Sequence, residues 1–464
     1  MATGNAIFLR GSLFKHVSVM SFTASVGLMS MFAVDFIDMI FIAMLGNDAL
    51  AAAVGYAGTL LFFTNSINIG LSIAAGSLVA RSIGAGDATV AREYATSVAL
   101  FGSLTGALVP ILVLFNLRSL LEILGAEGEA LTLAMRYITI ILPTMPLMAI
   151  AMAAMAVLRA HGDAKRSMLS TLYGGGVNAV LDPILIFGLS LGLDGAAIAS
   201  VCARVTMLVV ALWPAIKIHD GFARPNAAMV KRDLQTVSTI AAPAVLTNLA
   251  TPVGSAIVTR EISSYGTDAV AGMAIIGRLM PVAFAVVFAL SGAIGPIIGQ
   301  NYGAKKFDRV HAAFTAGIQF IAIYVLIAST VLFLVRAPLA DLFEAEGMTR
   351  SLIFLFCGPL ALASFFNGTI FVANASFNNL GHPLYSTAIN WGRNTLGTWP
   401  LVVLGSVWFG APGVLIGQAI GGVIFAALAY ALAQRTMNDL EHPKPVDPFT
   451  PQRRMHLMFG RGRW

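Results

Sequence analysis

Slid along itself by about 219 positions, this chain nearly repeats, which commits the fold to two copies of one unit facing each other. Residues 46–51, Gly-Asn-Asp-Ala-Leu-Ala, return at 266–271 as Gly-Thr-Asp-Ala-Val-Ala. Gly84-Ala85 returns as Gly303-Ala304, the stretch around Gly162 as the stretch around Gly381, and the segment opening at Gly195 as the one opening at Gly413. The copies differ in their acids. Asp35 and Asp38 fall opposite Ser255 and Val258, and Asp182 falls opposite the Trp399 to Leu401 region.

The unit that repeats is built for lipid. With 58% hydrophobic residues, 11% charged residues and a mean hydropathy of +0.83, the chain lies far outside soluble averages. Apolar runs long enough to cross a bilayer recur at 17–45, 49–80, 94–116, 131–158, 167–190 and 194–217, then at 237–264, 268–302, 310–335, 350–377, 384–408 and 411–434. They lack the ten-residue alternation of a membrane β-barrel, so the expected fold is an all-α polytopic membrane protein with twelve transmembrane helices in two pseudo-symmetric six-helix lobes. Expected divisions are an N-terminal segment 1–16, a first lobe 17–218, a linker 219–236, a second lobe 237–434 and a disordered tail 435–464.

Basic residues collect in alternate loops. Arg10, Lys15, Arg81, Arg92, Arg159, Lys165, Arg166, Lys217, Arg224, Lys231, Arg232, Lys305, Lys306 and Arg309 share one side, opposite acidic loops such as 122–129 and 341–346. The excess of positive charge in cytoplasmic loops then puts both termini in the cytoplasm of a cell-membrane protein of the bacterial inner-membrane type. An even number of spans per copy relates the lobes by an axis along the membrane normal, which is transporter geometry. The net charge of +6 is spread over these loops rather than gathered on a soluble domain, which argues against a nucleic-acid partner. No Gly-x4-Gly-Lys-Ser/Thr segment is present, so uphill movement is expected to draw on an ion gradient, with no cofactor. Cys202 and Cys357 lie singly inside apolar spans and read as packing residues.

Asp35, Asp38 and Asp182, with Arg204, Arg278 and Arg393, fall within hydrocarbon depth, where a charge costs on the order of 3 kcal/mol and marks an ion or substrate path. Asp35 and Asp38 share a helix face, as do Asn178 and Asp182, and Pro183 is expected to loosen the helix beside Asp182. These groups form a candidate cation site, with Na+ at Asp38, Asn178 and Asp182 or a proton on a coupled set of carboxyls. The structural alternative is that the acids pair with arginines to fix helix packing. The arginines are read as packing residues.

Four segments carry a resemblance to a known family. Val34 to Gly46, with Asp38 eight residues before Gly46, looks like a first-helix pattern, and Leu158 to Lys165 resembles the loop after a fourth helix. Asn178 to Gly188 with Gly195 to Ser200 resembles fifth and sixth helices, and Gly295 to Gly303 the end of an eighth. Together they resemble the multidrug and toxic compound extrusion (MATE) transporters across about 17–434. The resemblance implies a non-enzymatic antiporter, expected as a monomer in the lipid bilayer, that exports small lipophilic cations in exchange for H+ or Na+. It implies Asp38 as the essential first-helix acid, Asn178 and Asp182 as its partners, and Ser200 and Tyr137 in the same polar network. Asp35 rests on the physical argument alone. Asn248, Asn367 and Asn374 stand where the NorM-like branch carries second-lobe acids, which favours the DinF-like branch. The competing expectation is a flippase of lipid-linked saccharides or lipids, whose cleft would be cationic.

Overall fold

The computed structural model describes residues 6–441, and the expected tail beyond 441 lies outside them. The first half comprises α1 (Leu13–Met44), α2 (Asp48–Gly84), α3 (Ala88–Phe115), short α4 (Leu117–Ile123), α5 (Gly128–Ile141), α6 (Met145–Ala160), α7 (Ala164–Pro183) and α8 (Leu193–Lys217). The second comprises α9 (Ala227–Ser263), α10 (Thr267–Ala283), α11 (Ala285–Gly303), α12 (Phe307–Leu342), α13 (Gly347–Cys357), α14 (Ser364–Leu380), α15 (Pro383–Asn394) and α16 (Trp399–Glu441). Side chains at the loops start several helices: Asn47, Asp87, Asp163 and Asn226 each accept a bond from a first-turn backbone N–H.

Sixteen helices make twelve crossings because some crossings are broken. Pro143 and Pro146 interrupt the fourth at a 3-10 turn, Leu142–Thr144, between α5 and α6. Phe284 separates α10 from α11 in the eighth, and a second 3-10 turn, Pro359–Ala363, separates α13 from α14 in the tenth. The long apolar run Pro383–Leu440, 58 residues, holds two crossings. At Gly410 the backbone turns to φ 65°, a left-handed conformation glycine adopts without strain, and α16 doubles back. Its arms then press together so closely that a Cβ on Gly417 would lie 2.1 Å from the Leu401 carbonyl oxygen, and one on Gly413 1.8 Å from that of Gly405. Gly195 makes the matching approach in the first half, where a Cβ would lie 2.8 Å from the Leu185 carbonyl oxygen. Both expected features, twelve crossings and two like lobes, are therefore built into the fold.

The lobes meet at the basic end. Gly84 of α2 and Gly303 of α11 cross backbone to backbone, Ser77 Oγ donates to the Asn378 carbonyl at 3.0 Å, and Gln300 Nε2 donates to the Ala160 carbonyl at 2.8 Å. Arg232 of α9 bridges Glu93 of α3 at 2.6 Å, and buried Asp233 accepts from Ser97 Oγ at 2.7 Å. The segment before α1 joins this seam. Phe8 is buried, its N–H donates to Gln300 Oε1 at 3.0 Å, and its carbonyl accepts from Arg309 Nη2 at 2.9 Å. At the acidic end most bonds stay within one half, as from Asn47 to Glu129, Tyr56 to Gly125, Tyr265 to Ser406 and Thr349 to Asp268, and a long one from Arg278 Nη2 of α10 to Met39 Sδ of α1, 3.4 Å, crosses between the halves. The halves are thus joined chiefly at the basic end, and the hydrogen bonds between them thin out toward the other.

Candidate functional site

In the first lobe, α1 lies along α7, and glycine makes this approach possible: a Cβ on Gly175 would meet Ser30 Oγ at 3.0 Å and Val34 at 3.1 Å. One helical turn further, Asn178 and Asp182 face α1. Asn178 Nδ2 donates to Asp182 Oδ2 at 2.8 Å and reaches Asp38 Oδ1 at 3.3 Å. The Asp38 and Asp182 carboxyls are themselves within hydrogen-bonding contact. Asn178 and Asp182 are buried, and Asp38 is half-buried.

Asp182 Oδ1 is sealed from solvent and has no hydrogen-bond donor among the described residues. Its neighbour Asp38 offers only acceptors when ionised, so the pair supplies no donor to this oxygen unless one carboxyl carries a proton. The expected alternative, acids clamped by arginines, is absent among the described residues: neither Asp35, Asp38 nor Asp182 forms an ion pair. Asp35 stays outside the knot, exposed and without a hydrogen-bond partner among the described residues.

Tyr137 on α5 meets Ser200 on α8 through their hydroxyls, beside the carboxyl knot rather than in it. Arg204, one turn along from Ser200, donates to Thr144 Oγ1 at 2.8 Å and approaches the Ile141 carbonyl at 3.4 Å. That carbonyl is freed by the break between α5 and α6, so Arg204 does act as a packing residue, sealing the broken backbone. Pro183 does not unwind the helix at Asp182. α7 keeps its geometry through Pro183, and the slack appears just after it as a π turn, Ile184–Gly188. Asp182 therefore projects from a firm helix whose next turn is wide.

Sequence reasoning placed Arg159 with the basic loops. Its guanidinium turns inward, bonding Ser167 Oγ at 3.1 Å and Ser72 Oγ at 3.4 Å near the floor of the cleft, beside exposed Gly292 of α11. Gln418, half-buried on α16, was also passed over. Scanning the spans for uncharged polar residues would have found it, whereas no signal in the chain announces the turn of Arg159.

The MatE family model matches residues 24–184 and 243–403, one segment in each half. A protein named FAD transporter from Shewanella oneidensis is 28% identical over 422 residues, covering 90% of this chain and 93% of its own. The multidrug export protein MepA of Staphylococcus haemolyticus is 25% identical, covering 93% of this chain and 96% of its own. Among solved structures, the Vibrio cholerae MATE transporter VcmN in its bent form superposes with a TM-score of 0.86 at 25% identity, over 93% of this chain and 98% of that one. A multidrug resistance MATE transporter in an outward-facing conformation superposes with a TM-score of 0.86 at 23% identity, over 94% of this chain and 98% of that one, and supports the fold alone. With both halves matched and the twelve-crossing body in place, this chain belongs to the MatE family of membrane transporters.

Proposed function

We propose that this protein is a secondary multidrug exporter that moves small lipophilic cations outward in exchange for H+, with Na+ as the alternative coupling ion. The named multidrug relatives support the general activity. The coupling site is Asp38, Asn178 and Asp182, and the observation that carries it is the sealed Asp182 Oδ1, without a donor, in a carboxyl that lies in contact with that of Asp38. A proton between the carboxyls leaves the site with one negative charge; its departure leaves two in a half-buried cleft, which attract a lipophilic cation. One cation replaces another. Tyr137 and Ser200 orient groups at the edge of this site, and exposed Asp35 adds negative charge at its mouth.

Positive loops place the basic end, with both termini, in the cytoplasm of a bacterial cell membrane. The joined end then faces inward in this structure, as in the state from which protons enter and cargo leaves. Residues 17–218 and 237–434 act as the two moving lobes of a monomer, joined by 219–236. Second-lobe asparagines in place of acids favour the DinF-like branch. The test is ethidium transport in vesicles with pH and sodium gradients imposed separately. A proton gradient alone should drive it, and Asp38→Asn should stop it without loss of expression. Transport that survives Asp38→Asn removes the carboxyl knot from the mechanism.

A further inference from the structure

Arg393 does not behave as Arg204 does. It lies on α15 close to Gly392 and Gly397, where an added Cβ would strike the ring of Phe425 on α16 at 2.4 and 2.8 Å. One turn before it, Asn390 Nδ2 donates to Asn374 Oδ1 of α14 at 3.2 Å. At about 100° per residue, Arg393 projects into the angle between α14 and α16, the interior of the second lobe. From α16, Gly422 faces Asn367 Oδ1 of α14, 3.8 Å from an added Cβ, and Gln418, one turn earlier, shares that face. By helix geometry, these three polar residues of three mutually packed helices lie on faces turned toward the same interhelical angle, spread over roughly 10 Å at 1.5 Å rise per residue.

None of the three side chains has a hydrogen-bond or ionic partner among the described residues, and each keeps partial exposure. No acid lies between Glu346 and Asp439, the stretch that builds α13, α14, α15 and nearly all of α16, and Glu261 of α9, near the acidic end, accepts from Ser406 Oγ at 2.6 Å. A guanidinium at this depth without a counter-charge is costly, and its planar fork matches a carboxylate or phosphate. Displaced by 219 positions, Arg393-Asn394-Thr395 falls on Gly174-Gly175-Gly176. Where the first lobe has glycine against its neighbours, the second holds a cation. The first lobe carries the Asp38 and Asp182 carboxyls, and the second carries a guanidinium without a partner among the described residues.

We propose that Arg393, Asn367 and Gln418 form an anion-accepting subsite in the second lobe, which receives a phosphate or carboxylate group of the transported amphiphile. The proposal rests on the exporter reading and extends its cargo to zwitterionic and anionic amphiphiles. Arg393 supplies the charge, and the Asn367 and Gln418 amides supply further donors for the remaining oxygens.

The test is uptake into proteoliposomes driven by a pH gradient, with three probes: ethidium, carboxyfluorescein and 4-methylumbelliferyl phosphate. Arg393→Gln should lower uptake of both anionic probes at least about tenfold, as expected for losing one charge-assisted contact, with ethidium uptake preserved. Arg393→Lys should restore part of the anionic uptake. Equal loss of all three probes in both variants, the mark of a packing role, overturns the proposal, as does unchanged anionic uptake in Arg393→Gln. Repeating the assay in phosphatidylcholine with and without phosphatidylglycerol separates the sources: if wild-type selectivity for the anionic probes vanishes when the anionic lipid is present, the subsite holds a headgroup and the assignment to cargo falls. Asp38→Asn is run in parallel. If it leaves all transport intact, the coupling reading fails while the Arg393 selectivity still stands.

Discussion

Gly84 and Gly303 occupy the same place in the two halves, and each lies against the backbone of the other's helix: a Cβ on Gly84 would fall 2.0 Å from the Gln300 carbonyl oxygen, and one on Gly303 1.9 Å from that of Arg81. The pseudo-two-fold axis relating the lobes passes near this crossing, so the closed end of the cleft is a contact between a residue and its own duplicate. Such a contact resists any side chain, because the obstructing atoms are backbone.

Gly84→Val or Gly303→Val should pry this end apart. Overpacking of this kind costs roughly 1–3 kcal/mol, borne by the conformation in which the lobes meet here. The expected result is greater labelling of a cysteine introduced at Ser77, in a background with Cys202 and Cys357 replaced, from the basic side of the membrane. Unchanged labelling with full transport would show that the crossing is not a gate.

Phe8 fastens the same end from outside the spans. Burial of its ring and the bonds from its backbone to Gln300 and Arg309 hold the leading segment across both lobes. Phe8→Ala should cost about 3–5 kcal/mol of that closure, read as a lower Tm in detergent and faster proteolysis before α1.

Asp182→Asn should separate stability from coupling. The amide supplies a donor where the carboxyl knot lacks one, so Tm should move by less than the equivalent of about 1 kcal/mol. Gradient-driven ethidium transport should nevertheless stop, since an amide cannot release a proton. A large fall in Tm together with the loss of transport would assign Asp182 to packing.

Asp163 sets a pH dependence at the basic end. Partial burial pushes its carboxyl up, but bonds from His219, Arg166 and the Arg166 backbone outweigh this and hold it below the ordinary 3.8. A lowered value means the stabilisation is present above the unfolded-state value and disappears as pH falls through the folded one. Asp163→Ala should therefore cost about 1 kcal/mol at pH 7, through the lost cap of α7, and progressively less below about pH 4. Denaturation midpoints of both proteins across that range check it.

Much of this was legible in the chain. Asp38, Asn178 and Asp182 announced themselves because an acid among apolar residues has few roles, and the repeat named the lobes because duplication preserves Gly84 and Gly303 alike. The divisions moved slightly: α1 starts at Leu13 and α16 runs on to Glu441, where hydropathy gave out but helical hydrogen bonding did not. Asp35 shares a helix face with Asp38 yet stays out of the knot. Three-residue spacing fixes a direction on one helix and says nothing of what the neighbouring helix offers.

What the sequence by itself determined is the membrane body, its two-fold repetition and the segregation of acids to one lobe, all consequences of composition and local periodicity. Only the tertiary structure decided which arginine seals a broken helix and which stands unpaired, for Arg204 and Arg393 look alike in a hydropathy trace. Their difference lies in partners brought from other crossings: Arg204 meets a carbonyl freed by a proline break, and Arg393 meets no hydrogen-bond or ionic partner among the described residues. Such partnerships depend on how distant helices pack, and no local pattern in a chain encodes them.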